Sequence, residues 1–280
     1  MVTRSRRVLG SMPHFLLKQP ERPDDRDNEV WRVNSAACPK ELIRAFEDRF
    51  GVKVYEGYGA VDGGGFMLGS FGHENIPVGT MGRPPEGTVA DIMDDDGNLL
   101  GCNETGELVF LVKEEEFQQR QVIYYKDEAA SKSRIQEASD GRLWFHTGDL
   151  AEKDPEGWLY FVDRKKDAIR RRGENISSVE VEGAVNDHPA VLESAAIAVP
   201  SEWGEDEVKV VVVCKPGASL THEGLAGFLL NTMPRFMVPR YIEFVDQLPK
   251  TPTEKVRKVE LRESGVNPRT WDRLGAQGRR

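Results

Sequence analysis

Four short segments hold residue types whose spacing could do chemistry. In Gly57-Tyr58-Gly59-Ala60-Val61-Asp62-Gly63-Gly64-Gly65 the glycines let a backbone approach a phosphate and present N–H donors, and Asp62 could hold Mg²⁺ through one carboxylate. A tight glycine turn with a solvated Asp accounts for the same residues, and a dinucleotide fingerprint does not, because Asp62 falls where its third glycine belongs. His146-Thr147-Gly148-Asp149 follows an apolar stretch that reads as strand. A carboxylate fixed just after a strand can accept both hydroxyls of a ribose, although Thr-Gly-Asp more often caps a turn. The run from Asp163 to Asn175 sets Arg164, Lys165, Lys166, Arg170, Arg171 and Arg172 before Gly173. Such cations could meet phosphates or form a solvated surface. In Leu248 to Lys258, Pro249 and Pro252 stiffen a loop that presents Lys255, a cation able to neutralise charge developing between a carboxylate and a phosphate.

Other chemistries lack their residues. There is no Gly-x-Ser-x-Gly, so His146 and Asp149 have no hydrolytic nucleophile. The five histidines, His14, His73, His146, His188 and His222, show no metal-ligand spacing, which argues against catalytic zinc. Cys38, Cys102 and Cys214 form no Cys-x-x-Cys pair, so a disulfide framework is disfavoured and a reducing, cytoplasmic setting is expected. The net charge of −9 over 280 residues makes a poor general binder of nucleic acid or anionic membrane. No apolar run approaches the roughly 20 residues needed to span a bilayer, and Phe15-Leu16-Leu17 is too short for a signal-peptide core.

The elements that must position these residues fall into two parts. Residues 19–30 are rich in Pro and Asp and read as loop. Pro39 then opens a helix with Leu42, Ile43, Phe46 and Phe50 on one face and Gly51 as its cap. Lys53 to Tyr55 is expected as a short strand running into the glycine loop, an α/β layer with its loop at a strand's C-terminal end. The middle is β-rich and antiparallel in pattern: Val89–Met93 and Glu107–Val112 flank an Asp96-Gly97 turn, and Trp144–His146 and Trp158–Val162 add strands. Ser177 and Glu180 form a capping box for a helix to about Asn186. Strands at 194–199, 208–214 and 241–245, a helix after Thr221 and a basic helix from Lys255 to Arg262 complete a small α+β unit. The expected division is 1–163, 164–268 and a tail at 269–280, with α/β and α+β parts and no internal repeat.

In order and spacing the four segments resemble the AMP-forming acyl-CoA synthetase superfamily of adenylate-forming enzymes. Gly57–Gly65 is similar to its Tyr-Gly-x-Thr-Glu motif, and Asn34-Ser35-Ala36-Ala37-Cys38-Pro39 to its adenine-contacting Gly-Ala-x-Pro segment. Val78–Pro84, Thr105–Leu108 and Tyr124–Asp127 match further segments, the last leading to the ribose-binding Asp149. Asp163 through Gly173 resembles the hinge, Pro249 to Lys255 the terminal Pro-Lys-Thr-x-x-Gly-Lys motif, and Arg172–Ser177 the crotonobetaine/carnitine–CoA ligase branch.

The resemblance implies the C-terminal part of a large adenylation domain followed by a small mobile C-terminal domain. It implies an acid–CoA ligase that uses ATP, Mg²⁺ and CoA and acts on a small-molecule carboxylic acid, betaine-like or of medium or long chain. Ala36, Ala37, Tyr58, Gly59, Asp149, Arg164, Arg170 and Gly173 would bind nucleotide or CoA, Gly63 and Gly64 would line the acyl pocket, and Asp62 would hold Mg²⁺. Lys255 would be catalytic and Lys166 the hinge. Val61 stands where the motif has threonine, Asp62 where it has Glu, and Glu254 where it has glycine. The family's Ser/Thr/Gly-rich phosphate loop has no counterpart in these residues, which implies an N-terminally truncated form, or a non-catalytic AMP- or CoA-binding remnant. A dinucleotide-dependent oxidoreductase is the third reading and fails on the glycine pattern.

Overall fold

The computed structural model describes residues 5–9, 12–36, 38–60, 62, 65–113, 122–171, 173–201, 204–251 and 255–277. They fall into two units, Met1–Val162 and Asp163–Arg280.

The first unit opens with β1 (Ser5–Leu9), α1 (Met12–Leu17), β2 (Arg32–Ala36), α2 (Lys40–Phe50), β3 (Lys53–Ala60) and β4 (Gly65–Gly69). The sheet runs β1-β2-β3-β4, parallel through β3, with β4 antiparallel to β3. Helix α2 starts after Pro39 and stops at Gly51, whose φ of 65° is left-handed. It buries Ile43 and Phe46 against Val8, Val33 and Val54. Strand β3 is longer than expected. Gly57 faces Gly69 and Tyr58 faces Leu68, so an antiparallel partner carries the strand through the first glycines. Between β3 and β4 only Asp62 lies within the described residues.

Next come β5 (Ala90–Met93), β6 (Gly106–Leu111), α3 (Glu128–Ser133), β7 (Ile135–Glu137), β8 (Leu143–Lys153) and β9 (Leu159–Arg164). The β5–β6, β6–β8 and β7–β8 ladders are antiparallel and β9 pairs with β8. Strand β6 is buried from Gly106 to Phe110 because both its faces are covered: Leu108 and Phe110 join one cluster, Val109 another with Met93 and Trp144. The segment before β5 stitches the two sheets together. Arg83 pairs with Gly69 of β4, Gly82 pairs with Leu159 of β9, and Thr80 Oγ1 donates to the Leu159 carbonyl at 2.9 Å. A Cβ on Gly82 would sit 2.2 Å from the Gly69 carbonyl carbon, and its φ is +104°. Only glycine fits there.

The second unit begins with the hairpin β10 (Ile169–Arg171) and β11 (Glu174–Ile176), then α4 (Ser178–Asn186), β12 (Val191–Pro200), β13 (Asp206–Cys214), α5 (His222–Thr232) and β14 (Tyr241–Phe244). It ends with α6 (Lys258–Ser264), β15 (Trp271–Asp272) and α7 (Arg273–Gln277). Ser177 Oγ accepts from the Glu180 N–H and Thr221 Oγ1 from Gly224, fixing where α4 and α5 start. The sheet order is β12-β13-β14-β15. Val208, Val210 and Val212 of β13 pack with Val181, Val185, Leu225 and Leu229 of the two helices. Val211 and Val213 pack on the other face with Leu248 and Leu261. A strand covered on both faces reads as a continuous apolar run, which is the Val-rich pattern of β13. The stretch expected as a tail instead supplies edge strand β15, and Trp271 packs on the core.

Lys209 interrupts that run and is fully buried. Its Nζ meets Glu243 Oε2 at 2.6 Å and donates to the Gly265 carbonyl at 2.5 Å. Glu243 Oε2 also accepts from Asn267 Nδ2 at 2.9 Å and Thr270 Oγ1 at 3.3 Å, which ties residues 265–270 to the sheet. Burial pushes the Glu243 carboxyl up, but the Lys209 ammonium, together with Asn267 and Arg269, holds the group below its ordinary value.

Gly82→Ala is expected to cost about 2–5 kcal/mol, since overpacking and positive-φ strain add; an unchanged melting temperature would mean the two backbones do not meet. Lys209→Met is expected to cost about 3–5 kcal/mol by stranding a buried carboxylate, and adding Glu243→Leu should recover part of that loss. Because the folded Glu243 value is depressed, its contribution is complete above the unfolded carboxylate range and fades as pH falls through the folded value. Urea melts across acid pH should therefore show a flatter acid limb in Lys209→Met than in the wild-type chain.

Candidate functional site

The first unit brings two of the expected nucleotide residues into contact. Tyr58 lies on β3 and Asp149 on β8, and the Tyr58 hydroxyl donates to Asp149 Oδ2 at 2.6 Å. Asp149 does not follow the end of a strand, as the sequence suggests. It sits inside β8, at a bulge where Thr147, Gly148 and Asp149 lie between the Glu107–Leu150 and Val109–His146 pairs, opposite Leu108 alone. The bulge is pinned on every side. Thr147 Oγ1 donates to the Leu108 carbonyl at 2.7 Å and accepts from the Asp149 N–H at 3.1 Å. Gly148, at φ +75°, donates its N–H to Glu107 Oε1 at 2.9 Å, while Glu107 Oε2 lies 3.2 Å from His146 Nδ1. Burial, reinforced by the Asp149 charge, pushes the Tyr58 phenol far above its ordinary range, so it stays a neutral donor. Asp149 is thus a half-buried carboxylate with a fixed backbone and a defined hydrogen-bond partner.

Asp62 is engaged elsewhere. Its Oδ2 accepts from the Tyr124 hydroxyl and pairs with Arg134 Nη2 at 3.1 Å. Arg134 Nε donates to the Tyr124 oxygen at 2.7 Å and Nη1 to the His146 carbonyl at 3.0 Å. Burial pushes the Tyr124 phenol up, and its bond to Asp62 adds to that. Sequence reasoning placed Tyr124 and Glu107 only within matched segments and passed over Arg134. Arg134 directly follows the short helix α3 and carries no local signal, since its partners are 10 to 72 residues away in sequence.

The expected Mg²⁺ role does not fit these residues. Divalent magnesium takes an unneutralised carboxylate together with phosphates and waters, whereas the Asp62 charge is compensated by a guanidinium. Among the described residues no group of three or more His, Cys, Asp or Glu side chains could hold a metal ion. Ala36 ends β2 half-buried and Gly59 is exposed on β3. Ala37, Gly63 and Gly64, with Val61 and Glu254, lie outside the described residues.

The second unit carries the remaining candidates. The charge run is not uniformly solvated: Asp163 is 2% exposed, Asp167 and Arg171 are buried, and Arg164, Lys165, Lys166 and Arg170 point outward. Asp163 Oδ2 accepts from the Ser178 N–H at 2.5 Å and Oδ1 from Ser178 Oγ at 3.1 Å. Lys258 Nζ reaches Ser178 Oγ at 2.6 Å and Glu182 Oε1 at 2.7 Å. Burial pushes the Glu182 carboxyl up despite that lysine. Asp167 Oδ1 pairs with Arg262 Nη1 at 2.6 Å. Lys166 therefore stands on a turn whose two flanking acids are anchored to α4 and α6. Arg171, one of the cations that the sequence offers to phosphates, packs inward, 2.7 Å from Glu207 Oε2 and donating to the Phe236 carbonyl at 2.6 Å. Gly173, at φ +80°, is at the hairpin tip, its N–H on Glu205 Oε1 at 3.2 Å. Lys255 is exposed and precedes rather than opens the helix, which starts at Lys258. Its carbonyl accepts from the Thr251 N–H at 2.8 Å and its N–H donates to Thr251 Oγ1 at 3.1 Å, tying these two residues together.

Comparison with known proteins identifies the family and the fold. Residues 9–112 match the AMP-binding enzyme family and residues 180–255 the AMP-binding enzyme C-terminal domain. The chain is 32% identical over 270 residues to the steroid-22-oyl-CoA synthetase of Rhodococcus jostii, covering 91% of this chain and 46% of that protein. It is 30% identical over 265 residues to the crotonobetaine/carnitine–CoA ligase of Citrobacter koseri, covering 91% and 48%. The crystal structure of ATP-bound MatB from Rhodopseudomonas palustris superposes with a TM-score of 0.78 at 25% identity, over 93% of this chain and 50% of that one. The chain spans about half the length of these relatives. No helix among the described residues is long and apolar enough to cross a membrane. With both family regions in order on one chain and the adenylation fold shared, the chain belongs to the AMP-binding enzyme family.

Proposed function

We propose that the chain serves an ATP-dependent acid–CoA ligase. The observation that carries the reading is the Tyr58–Asp149 hydrogen bond, which joins two motif segments 91 residues apart into one carboxylate site suited to ribose hydroxyls. In the first step an oxygen of the substrate carboxylate attacks the α-phosphorus of ATP, and the bond to pyrophosphate breaks, leaving acyl adenylate. In the second, a thiolate sulfur attacks the acyl carbonyl carbon, and AMP departs with the C–O electron pair. Asp149 and Arg164 are assigned the ribose and its phosphate, and Ala36, Ala37, Tyr58 and Gly59 the rest of the nucleotide. Lys255 is assigned the neutralisation of charge in the adenylation step, Lys166 the hinge, and Arg170 with Gly173 the CoA side.

The relatives are named for acids as unlike as a steroid-22-oyl group and carnitine, so the substrate is stated at the level of a carboxylic acid, with Gly63 and Gly64 assigned to its pocket. One observation favours a second reading, an AMP- or CoA-binding chain without catalysis: Val61, Asp62 and Glu254 stand where the family motifs have threonine, Glu and glycine.

Hydroxylamine trapping of acyl adenylate across a panel of carboxylic acids separates the two. It should be run on this chain alone and on the chain joined to a segment equivalent to the remaining half of its relatives. Product with the joined form is the expected result, and AMP binding without product in either form would select the second reading. In the active form, Lys255→Ala should cut adenylation by about 10²-fold or more while AMP still binds. Asp149→Ala should weaken AMP by about 10- to 100-fold through lost charge-assisted hydrogen bonds, read by calorimetry.

A further inference from the structure

We infer that Arg134 is the resident cation of Asp62, so that an arginine fork occupies the place expected for a divalent metal and holds the nucleotide-facing bulge in position. The guanidinium spends its three nitrogens on three elements: Nη2 on Asp62 of the β3–β4 turn, Nε on the Tyr124 hydroxyl, and Nη1 on the His146 carbonyl of β8. Tyr124 closes the set by donating to the same Asp62 oxygen that Arg134 meets. A carboxylate already carrying a guanidinium and a phenol has its charge compensated, and a dication brought to it would face a fixed positive charge a few ångströms away.

The fit depends on the bulge itself. A Cβ on Gly148 would lie 3.3 Å from Arg134 Nη1, so the residue whose left-handed backbone creates the bulge also leaves room for the guanidinium beside it. Arg134 thereby joins Asp62 to the chain one residue before Thr147 and three before Asp149. It is a positioning residue acting through that backbone. The inference deepens the nucleotide-site reading above and rests on it for the identity of the ligand, but its cation chemistry can be measured without catalysis.

The test uses the 280-residue chain and its Asp62→Asn, Arg134→Gln, Arg134→Lys and Asp62→Asn/Arg134→Gln forms. Mn²⁺ is titrated alone and read by the loss of its free electron-paramagnetic signal, with thermal unfolding reporting that each form is folded. Wild type and Asp62→Asn are expected to bind Mn²⁺ alike, within about twofold. Arg134→Gln, which uncovers the carboxylate, is expected to tighten Mn²⁺ several-fold, and the double variant to lose that gain. Arg134→Lys, which keeps a charge without the fork, should stay at the wild-type level and serves if Arg134→Gln does not fold. A wild-type Mn²⁺ site that Asp62→Asn weakens tenfold overturns the inference, as does a folded Arg134→Gln with no gain.

AMP is then titrated with and without Mg²⁺. An affinity indifferent to Mg²⁺ that falls about tenfold in Arg134→Gln supports the positioning role, and one unchanged in Arg134→Gln refutes it. If no form binds AMP, the nucleotide reading fails while the Mn²⁺ titration still decides what neutralises Asp62.

Discussion

Two backbones pass so closely at Gly82 and Gly69 that no side chain fits between them, and the candidate site of the first unit follows from that contact. It binds the edge of the mixed sheet to the antiparallel sheet through Arg83 and Leu159, and so fixes where β3 stands relative to β8. Only with those strands in register can a phenol on one reach a carboxylate on the other. A hydrogen bond from a phenol to a carboxylate contributes about 1.5–3 kcal/mol, a small part of what holds the two sheets together. Its value is geometric, because it orients a carboxylate whose backbone is already held by Thr147 and Glu107.

The second unit solves a different problem with the same economy. Its chemically interesting residues, Lys166 and Lys255, are exposed, and what the fold supplies is a rigid base for them. Asp163 and Asp167 are turned inward, one onto the start of α4 and one onto Arg262 of α6. Glu182 and Lys258 complete the network. Each of these buried charges has a partner, the condition under which burial of ions is tolerated.

Much of this was legible in the residues. Pro39 and Gly51 bracketed α2, Ser177 and Thr221 marked the starts of α4 and α5, and the alternating middle announced an antiparallel sheet. Local signals of this type act over a few residues and survive without tertiary context. What escaped was set by contacts between distant segments. The extension of β3 through Gly57 and Tyr58 needed β4 as a partner, and the placement of Asp149 within β8 needed the bulge against Leu108. The inward turn of Asp163, Asp167 and Arg171 cannot be read from a charge run, because neighbours in sequence there point in opposite directions. The pairing of Asp62 escaped for a related reason: its guanidinium partner, Arg134, comes from 72 residues downstream.

Lys209 has a life outside the folded state as well. Val208 to Val213 is a hydrophobic segment of high β-propensity without proline, the composition from which intermolecular β-stacks grow. In the native sheet the ammonium is hidden and matched by Glu243. In a chain that has not yet folded it stands unpaired inside the segment, and identical chains stacking there would have to bury a ladder of like charges. One lysine thus fastens the C-terminal segment when folding succeeds and acts as a gatekeeper against self-association before it does.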